Sequence, residues 1–199
     1  MSASIVLNFK RSSFQEECAM SQMTIQKRTV RSAREMFWMQ IEAAYKTEDE
    51  WALILNAVGV HVLPEADFVI KSRGFSSLCR SVIPLNLAAA RLDMLFESIP
   101  ATHEIWSYIP SIGGRICPSE AVLAVAVHLS RRPTYRGIDL WFVMNQRLDS
   151  ASDPCILRIF GDDHGRLCLQ AEVARPWDKW WDMNRKIVFG CDQLLRCVG

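Results

Sequence analysis

The residue types that most often carry acid–base and metal chemistry come together in the run Asp162, Asp163 and His164. Carboxylates and an imidazole can transfer protons or bind a metal ion, so one hypothesis is a metal-dependent hydrolase that uses this segment. The same residues, flanked by Gly161 and Gly165, are also typical of a polar turn. Because no pair of histidines at helical spacing accompanies them, we favour the turn and expect no metal ligand.

Thiol chemistry is a second hypothesis, since a cysteine beside a histidine can become a nucleophile. The chain has seven cysteines and four histidines, but no Cys-x-x-Cys pair. The cysteines are Cys18, Cys79, Cys117, Cys155, Cys168, Cys191 and Cys197. We expect them to be reduced and mostly buried. Gly113 and Gly114 lack the spacing of a phosphate-binding loop, so we expect no cofactor and no catalytic residue.

Basic side chains cluster in two places. The first group, just before and within an amphipathic segment, is Lys27, Arg28, Arg31 and Arg34. The second group, in an expected turn, is Arg131, Arg132 and Arg136. Such clusters can bind phosphates, so an alternative function is a nucleic-acid-binding regulator that uses the basic helix 28–45. A solvated helix face is the competing interpretation, and the net charge of +1 favours it.

Trp177, Trp180 and Trp181 place three large aromatic rings within five residues. On a helix these rings would spread over a wide arc, so one or two should pack against the sheet while a third is left exposed. Packing of all three rings in the core is the competing interpretation, and it is the more common one. Exposed tryptophans are often the residues that anchor a protein partner. We therefore expect these three residues to form a partner-binding site, with at least one ring exposed and the others packed in the core.

The composition is that of an ordinary globular chain. Its 199 residues are 50% hydrophobic and 23% charged, which suits one domain and excludes a disordered protein. We expect a flexible leader over 1–24 and a single α+β domain over 25–199, with the best candidate for a subdomain boundary near 110–118. No apolar run approaches the ~20 residues that span a bilayer, and no secretory signal is apparent. The expected location is the cytoplasm, with no membrane partner.

Hydrophobic periodicity predicts mainly helices in the first half of the chain, and strands followed by a final helix in the second half. The helices are expected at 28–45, 47–58, 85–96 and 176–198, with a short helical turn from Thr102. The strands are expected at 68–70 and 138–146, with a hairpin over 155–173. Thr47 and Glu50 have the spacing of a capping box, and Gly59 marks the end of that helix. The segment 119–130 fits a strand or a helix, and we favour the strand.

The fold class that follows is α+β: N-terminal helices plus an antiparallel three- or four-stranded sheet covered by a long C-terminal helix. The lack of a catalytic constellation and the aromatic terminal segment favour a non-catalytic cytoplasmic interaction or accessory protein. Its expected partner is another protein or a second copy, as in a homo-oligomer. The nucleic-acid-binding regulator and the uncharacterised metal-dependent hydrolase are the alternatives.

Overall fold

The computed structural model describes residues 32–44, 46–72, 75, 83–143, 154–179 and 181–191. In this part of the chain, one mixed sheet of eight strands is combined with five α-helices and a 3₁₀ turn at Ala33–Met36. The strands are β1 (Phe37–Ala43), β2 (His61–Val62), β3 (Ile83–Arg91), β4 (Gly114–Arg115), β5 (Asp139–Phe142), β6 (Cys155–Gly161), β7 (Leu167–Val173) and β8 (Lys186–Cys191). The helices are α1 (Glu48–Ala57), α2 (Pro64–Ile70), α3 (Leu92–Leu95), α4 (Thr102–Ser111) and α5 (Ser119–Leu129).

Strand β8 lies in the middle of the sheet, whose order is β1-β3-β8-β5-β6-β7-β2. It runs antiparallel to β3, where Phe189 is opposite Ala88, and parallel to β5, where Ile187 is opposite Trp141. The short strand β4 also pairs with β8, at Cys191 and the residue before it. Strand β8 therefore joins the β1–β3 pair to the β5, β6, β7 and β2 strands.

Both faces of the sheet are covered by helices. On one face, Val188 and Phe142 belong to a buried cluster with residues of α1, α2 and α5. On the other face, Ile187 and Phe189 belong to a second cluster with residues of α3 and α4. Because successive side chains of a strand point to opposite faces, a central strand covered on both sides is apolar at every position.

Two local predictions are confirmed. The side chain of Thr47 accepts a hydrogen bond from the Glu50 amide at 3.3 Å, and the Glu50 carboxylate accepts one from the Thr47 amide at 2.7 Å. This capping box starts α1, and Gly59 follows the helix with a φ of 73°. Strands β6 and β7 form the predicted hairpin, with an antiparallel register that runs from Cys155 opposite Val173 to the turn.

The predicted helix 28–45 is wrong over the described residues 33–43. The chain forms a 3₁₀ turn and then strand β1, which pairs antiparallel with β3. Within β1, exposed Gln40 and Glu42 alternate with buried Ile41 and Ala43, which is the period of a strand. The apolar residues that are spaced like those of a helix belong partly to the 3₁₀ turn and partly to the strand.

The predicted helix 85–96 is wrong as well, since β3 extends to Arg91 and only Leu92–Leu95 are helical. Leu87 belongs to the core cluster on one face of the sheet, and Ala88 and Ala90 belong to the cluster on the other. Alanine and leucine are strong helix formers, but the pairing of β3 with β1 and β8 overrides this preference.

The strand favoured for 119–130 is helix α5, and the strand expected at 68–70 lies in helix α2. Helix α5 is buried almost all round, including Leu123 and Val125 on opposite sides, so it has no continuous polar face to reveal its period. Helix α2 begins with Pro64 in its first turn, where the missing amide proton costs nothing.

The long C-terminal helix expected over 176–198 is wrong. Residues 176–177 form a turn, Lys186–Cys191 form β8, and 192–199 lie outside the described residues. The predicted three- or four-stranded antiparallel sheet is therefore replaced by an eight-stranded mixed sheet that takes its covering helices from earlier in the chain. The predicted leader 1–24 also lies outside the described residues, and none of the described helices combines the length and apolarity needed to cross a bilayer.

We predict that Phe189→Ala lowers the free energy of unfolding by about 3–5 kcal/mol, because this ring is fully buried on the central strand. The measurement is equilibrium denaturation in urea. The matched control is Phe68→Ala, which removes a ring that is 66% exposed and should change stability by no more than about 0.5 kcal/mol. Equal stability losses for the two variants would contradict the central position of β8.

Candidate interaction surface

The structure separates the tryptophans that the sequence analysis grouped. Trp177 is 77% exposed, Trp181 is 2% exposed, and Trp180 lies outside the described residues. Residues 176–177 form a turn, and the described residues from 178 to 182 belong to no helix, so the two rings do not share a helix face. The expected combination of one core ring and one exposed ring holds for Trp177 and Trp181, without the helix that was expected to carry them.

The backbone on both sides of Trp177 caps the N-terminus of helix α4. The amide of Thr102 donates to the carbonyl oxygen of Asp178 at 3.1 Å, and the amide of His103 donates to the carbonyl oxygen of Pro176 at 2.9 Å. The first amides of a helix have no partner inside the helix, so these two carbonyl oxygens satisfy donors that would otherwise need water. The turn that carries Trp177 is therefore fixed to a regular element.

The side chain of Thr102 links this cap to the core. Its hydroxyl accepts a hydrogen bond from the indole N–H of Trp181 at 3.1 Å and donates one to the carbonyl oxygen of Asp178 at 3.4 Å. The Trp181 ring also packs edge-on against Trp141, with 5.8 Å between ring centroids. Trp181 is thus a core residue whose indole N–H is hydrogen-bonded, and through Thr102 it connects the turn to the core.

Trp177 itself lies against His103, with 4.6 Å between ring centroids. The Nδ1 atom of His103 is 2.8 Å from the carbonyl oxygen of Pro176. A carbonyl oxygen only accepts hydrogen bonds, so Nδ1 carries a proton, and Nε2 of the neutral ring is an acceptor. We call Trp177, His103 and the backbone of residues 176–178 the Trp177 platform.

Polar residues surround the Trp177 platform along the chain. Arg175 and Lys179 are exposed, and Asp178 is half-buried. The Asp178 carboxylate accepts a hydrogen bond from the Arg175 amide at 3.1 Å, and the Asp178 amide donates to the Arg175 carbonyl oxygen at 3.1 Å. The turn is closed by its own hydrogen bonds as well as by α4, so the indole is presented on a rigid support.

Of the predicted basic group, the structure places Arg34, which is exposed in the 3₁₀ turn. Lys27, Arg28 and Arg31 lie outside the described residues. In the second group, Arg131, Arg132 and Arg136 are all exposed, and they follow helix α5.

The run Asp162, Asp163 and His164 forms the tip of the β6–β7 hairpin. The Asp162 carboxylate accepts hydrogen bonds from the amides of His164 and Arg166 and from the Arg166 side chain. These hydrogen bonds and the Arg166 guanidinium lower the pKa of Asp162 to about 2. No three histidine, cysteine or acidic side chains converge on a common point among the described residues. Asp162 is used to close a turn.

The described cysteines are Cys117, Cys155, Cys168 and Cys191, and no disulfide joins any two of them. Burial raises the pKa of Cys117 to about 12, and burial also raises the pKa of Cys168. A thiol with a raised pKa is a poor nucleophile because the thiolate is the reactive form. These two thiols therefore offer no nucleophile at neutral pH.

Sequence reasoning did not identify Thr102 and His103 as part of the site. Their partners are 76 and 73 residues away in the chain, so no local pattern reports them. One local signal was present after Trp181: the Asp182 carboxylate accepts a hydrogen bond from the Asn184 amide at 2.9 Å. An Asp followed two residues later by Asn is typical of a turn, and it could have indicated that no helix continues there.

In the part of the chain that the structure describes, a mixed sheet is covered on both faces by helices, and the exposed Trp177 lies next to the N-terminus of α4. A scan against protein-family models, a search of curated proteins and a search of solved structures each gave no match.

We predict opposite stability effects for the two described tryptophans of this segment. Trp181→Ala should lower the free energy of unfolding by about 3–5 kcal/mol, because it empties a core site and removes the hydrogen bond to Thr102. Trp177→Ala should change it by no more than about 1 kcal/mol, because the ring is mostly in solvent. Thermal and urea denaturation measure both values, and equal losses would contradict this division.

We also predict a pH effect at the hairpin tip. The pKa of Asp162 is about 2 in the folded protein and lower than its ordinary 3.8, so its stabilising contribution is complete above about pH 4 and is lost as the pH falls toward 2. Asp162→Asn should therefore reduce the change in unfolding free energy between pH 5 and pH 2. Asp163→Asn, an exposed neighbour, is the control, and identical profiles for both variants would refute the assignment.

Proposed function

We propose that this chain is a non-catalytic cytoplasmic interaction protein that binds another protein through the Trp177 platform. The observation that carries the proposal is a tryptophan that is 77% exposed on a turn fixed by backbone hydrogen bonds to helix α4. An indole that lies mostly in solvent contributes little to the stability of the folded chain. It is also among the side chains that contribute most to protein–protein binding.

The rigid support is what makes Trp177 suitable as an anchor. Association loses free energy when loops and side chains become ordered, and a turn that is already fixed avoids much of that loss. In the turn at 175–178, the carbonyl oxygens of Pro176 and Asp178 bind α4, and Arg175 and Asp178 hydrogen-bond to each other. His103 supports one side of the indole, so the ring is held in place before any partner binds.

The surroundings of the Trp177 platform favour another protein over a second copy of the chain. Homodimer interfaces are usually large and apolar, whereas interfaces between separately folded proteins have an aromatic centre and a polar rim. Arg175, Asp178 and Lys179 supply such a rim next to the exposed indole of Trp177. The partner chemistry that fits is an apolar pocket for one indole, bordered by polar groups that include a donor for His103 Nε2.

The two alternative functions have no specific observation in their favour. Arg34, the described member of the basic group, stands in a short 3₁₀ turn instead of on the helix that the nucleic-acid hypothesis assumed. The acidic and histidine side chains at 162–164 are engaged in, or exposed on, a hairpin turn. Both alternatives remain predictions from the sequence.

The test begins with affinity capture from the source organism, using the full chain as bait. Proteins that bind the wild type are purified, and their affinity is measured for the variants by isothermal titration. Trp177→Ala should weaken binding at least about thirtyfold, which is the effect of losing an interface residue worth about 2 kcal/mol.

Phe68→Ala is the matched control, because it removes another exposed ring, at 66% exposure, from helix α2. It should change affinity by less than about threefold, as most exposed residues outside an interface do. Light scattering after size-exclusion chromatography should show a monomer at the concentrations used. Partners bound equally well by Trp177→Ala, or a dimer that dissociates on this substitution, would each overturn the proposal of a heterologous Trp177 interface.

A further inference from the structure

A concave pocket of about 440 Å³ lies on the opposite face of the sheet from the Trp177 platform. Strand β1 at the sheet edge forms one wall, the first turns of α1 form a second, and the end of α5 forms the third. We call it the β1–α5 pocket. Its volume falls in the range of pockets that hold small molecules, roughly 300–1,000 Å³.

Charged side chains at the mouth of the β1–α5 pocket are mostly cationic. Lys46 precedes α1 and Arg131 follows α5, and both line the pocket together with His128. Neither Lys46 nor Arg131 forms a salt bridge with another described residue. Glu42 supplies the one carboxylate of the lining, so the fixed charge of the pocket is positive.

Trp51 also lines the β1–α5 pocket, and its side chain is only 3% exposed. Its indole N–H makes no hydrogen bond with any described residue, and its nitrogen is buried below the pocket surface. The Lys46 ammonium lies 6.0 Å from the centroid of the same ring.

The apolar part of the lining defines what else the ligand must contain. Ile41, Ile54 and Val127 line the β1–α5 pocket beside the face of α1 that bears Trp51. The capping box of Thr47 and Glu50 fixes the start of α1, so this wall does not have to form when a ligand enters. A ligand that fits has an apolar body for this wall and an anionic group for Lys46 and Arg131.

We propose that the β1–α5 pocket binds a small organic anion, in which a carboxylate or phosphate group contacts Lys46 and Arg131. The apolar body of the ligand contacts Ile41, Val127 and the ring of Trp51. This inference stands independently of the proposed protein partner, because the pocket and the Trp177 platform share no residue.

The experiment follows the indole N–H signals of the full ¹⁵N-labelled chain by NMR during titration with four probes. Phenyl phosphate and benzoate each combine an anion with an apolar ring, and they distinguish a phosphate ligand from a carboxylate ligand. Inorganic phosphate lacks the apolar body, and benzyl alcohol lacks the charge. The Trp51 signal is identified by its loss in Trp51→Phe.

The expected result is a saturable shift of the Trp51 signal with phenyl phosphate, benzoate or both, and weaker binding of the other two probes. Lys46→Gln and Arg131→Gln should each weaken the anion about tenfold, because each loses one charge-assisted hydrogen bond. Arg132→Gln is the matched control, since this exposed residue adjoins Arg131 without lining the pocket, and it should leave affinity within about twofold.

Two results would overturn the proposal. The first is the absence of any shift of the Trp51 signal with either aromatic anion up to about 10 mM, well beyond the dissociation constant of even a weak specific ligand. The second is binding that benzyl alcohol matches or that Arg131→Gln and Lys46→Gln leave unchanged. The charge variants alter half-buried or exposed side chains, so melting temperatures near that of the wild type will show that they remain folded.

Discussion

Strand β8 buries side chains on both faces of the sheet while its backbone pairs with three other strands. The rest of the structure depends on this burial on both faces. Val188 on one face and Phe189 on the other reach separate core clusters, so the removal of β8 would expose both. The fit is close: a Cβ atom at Gly114 on β4 would lie 2.9 Å from the Phe189 ring. Because β8 pairs with strands that are distant in sequence, the sheet is completed by non-local contacts, which are the slow part of folding.

The same constraint explains which elements could be predicted from the sequence. Helix α1 and the β6–β7 hairpin were predicted correctly because each has exposed positions and a local signal, a capping box in one and a Gly- and Asp-containing turn in the other. Elements that are buried on all sides have no exposed polar positions, so their sequences lack this local signal. Strand β8 is a continuous apolar run and helix α5 is apolar almost all round, so neither shows a period that separates helix from strand.

The sequence pointed to one residue of the candidate site, Trp177, and not to His103 or to the geometry of the turn. The concentration of tryptophan indicated that rings would divide between core and surface, and the exposed Trp177 and buried Trp181 do so. The sequence could not show that the turn carrying Trp177 caps helix α4, because a cap made by carbonyl oxygens 73 to 76 residues away involves no particular side chain at 176 or 178. The β1–α5 pocket was missed for a related reason. Lys46 and Arg131 line the same pocket only because α5 packs against β1.

The Trp177 platform and the β1–α5 pocket lie on opposite faces of one sheet, and this arrangement bears on whether they communicate. A ligand at one site affects the other only if it binds two arrangements of the intervening structure with different affinity. The strands between them are held by the pairing of β3 with β8, and tightly packed cores resist small continuous shifts. The simplest physical consequence is that the two surfaces act independently, with the sheet serving as a rigid divider between them.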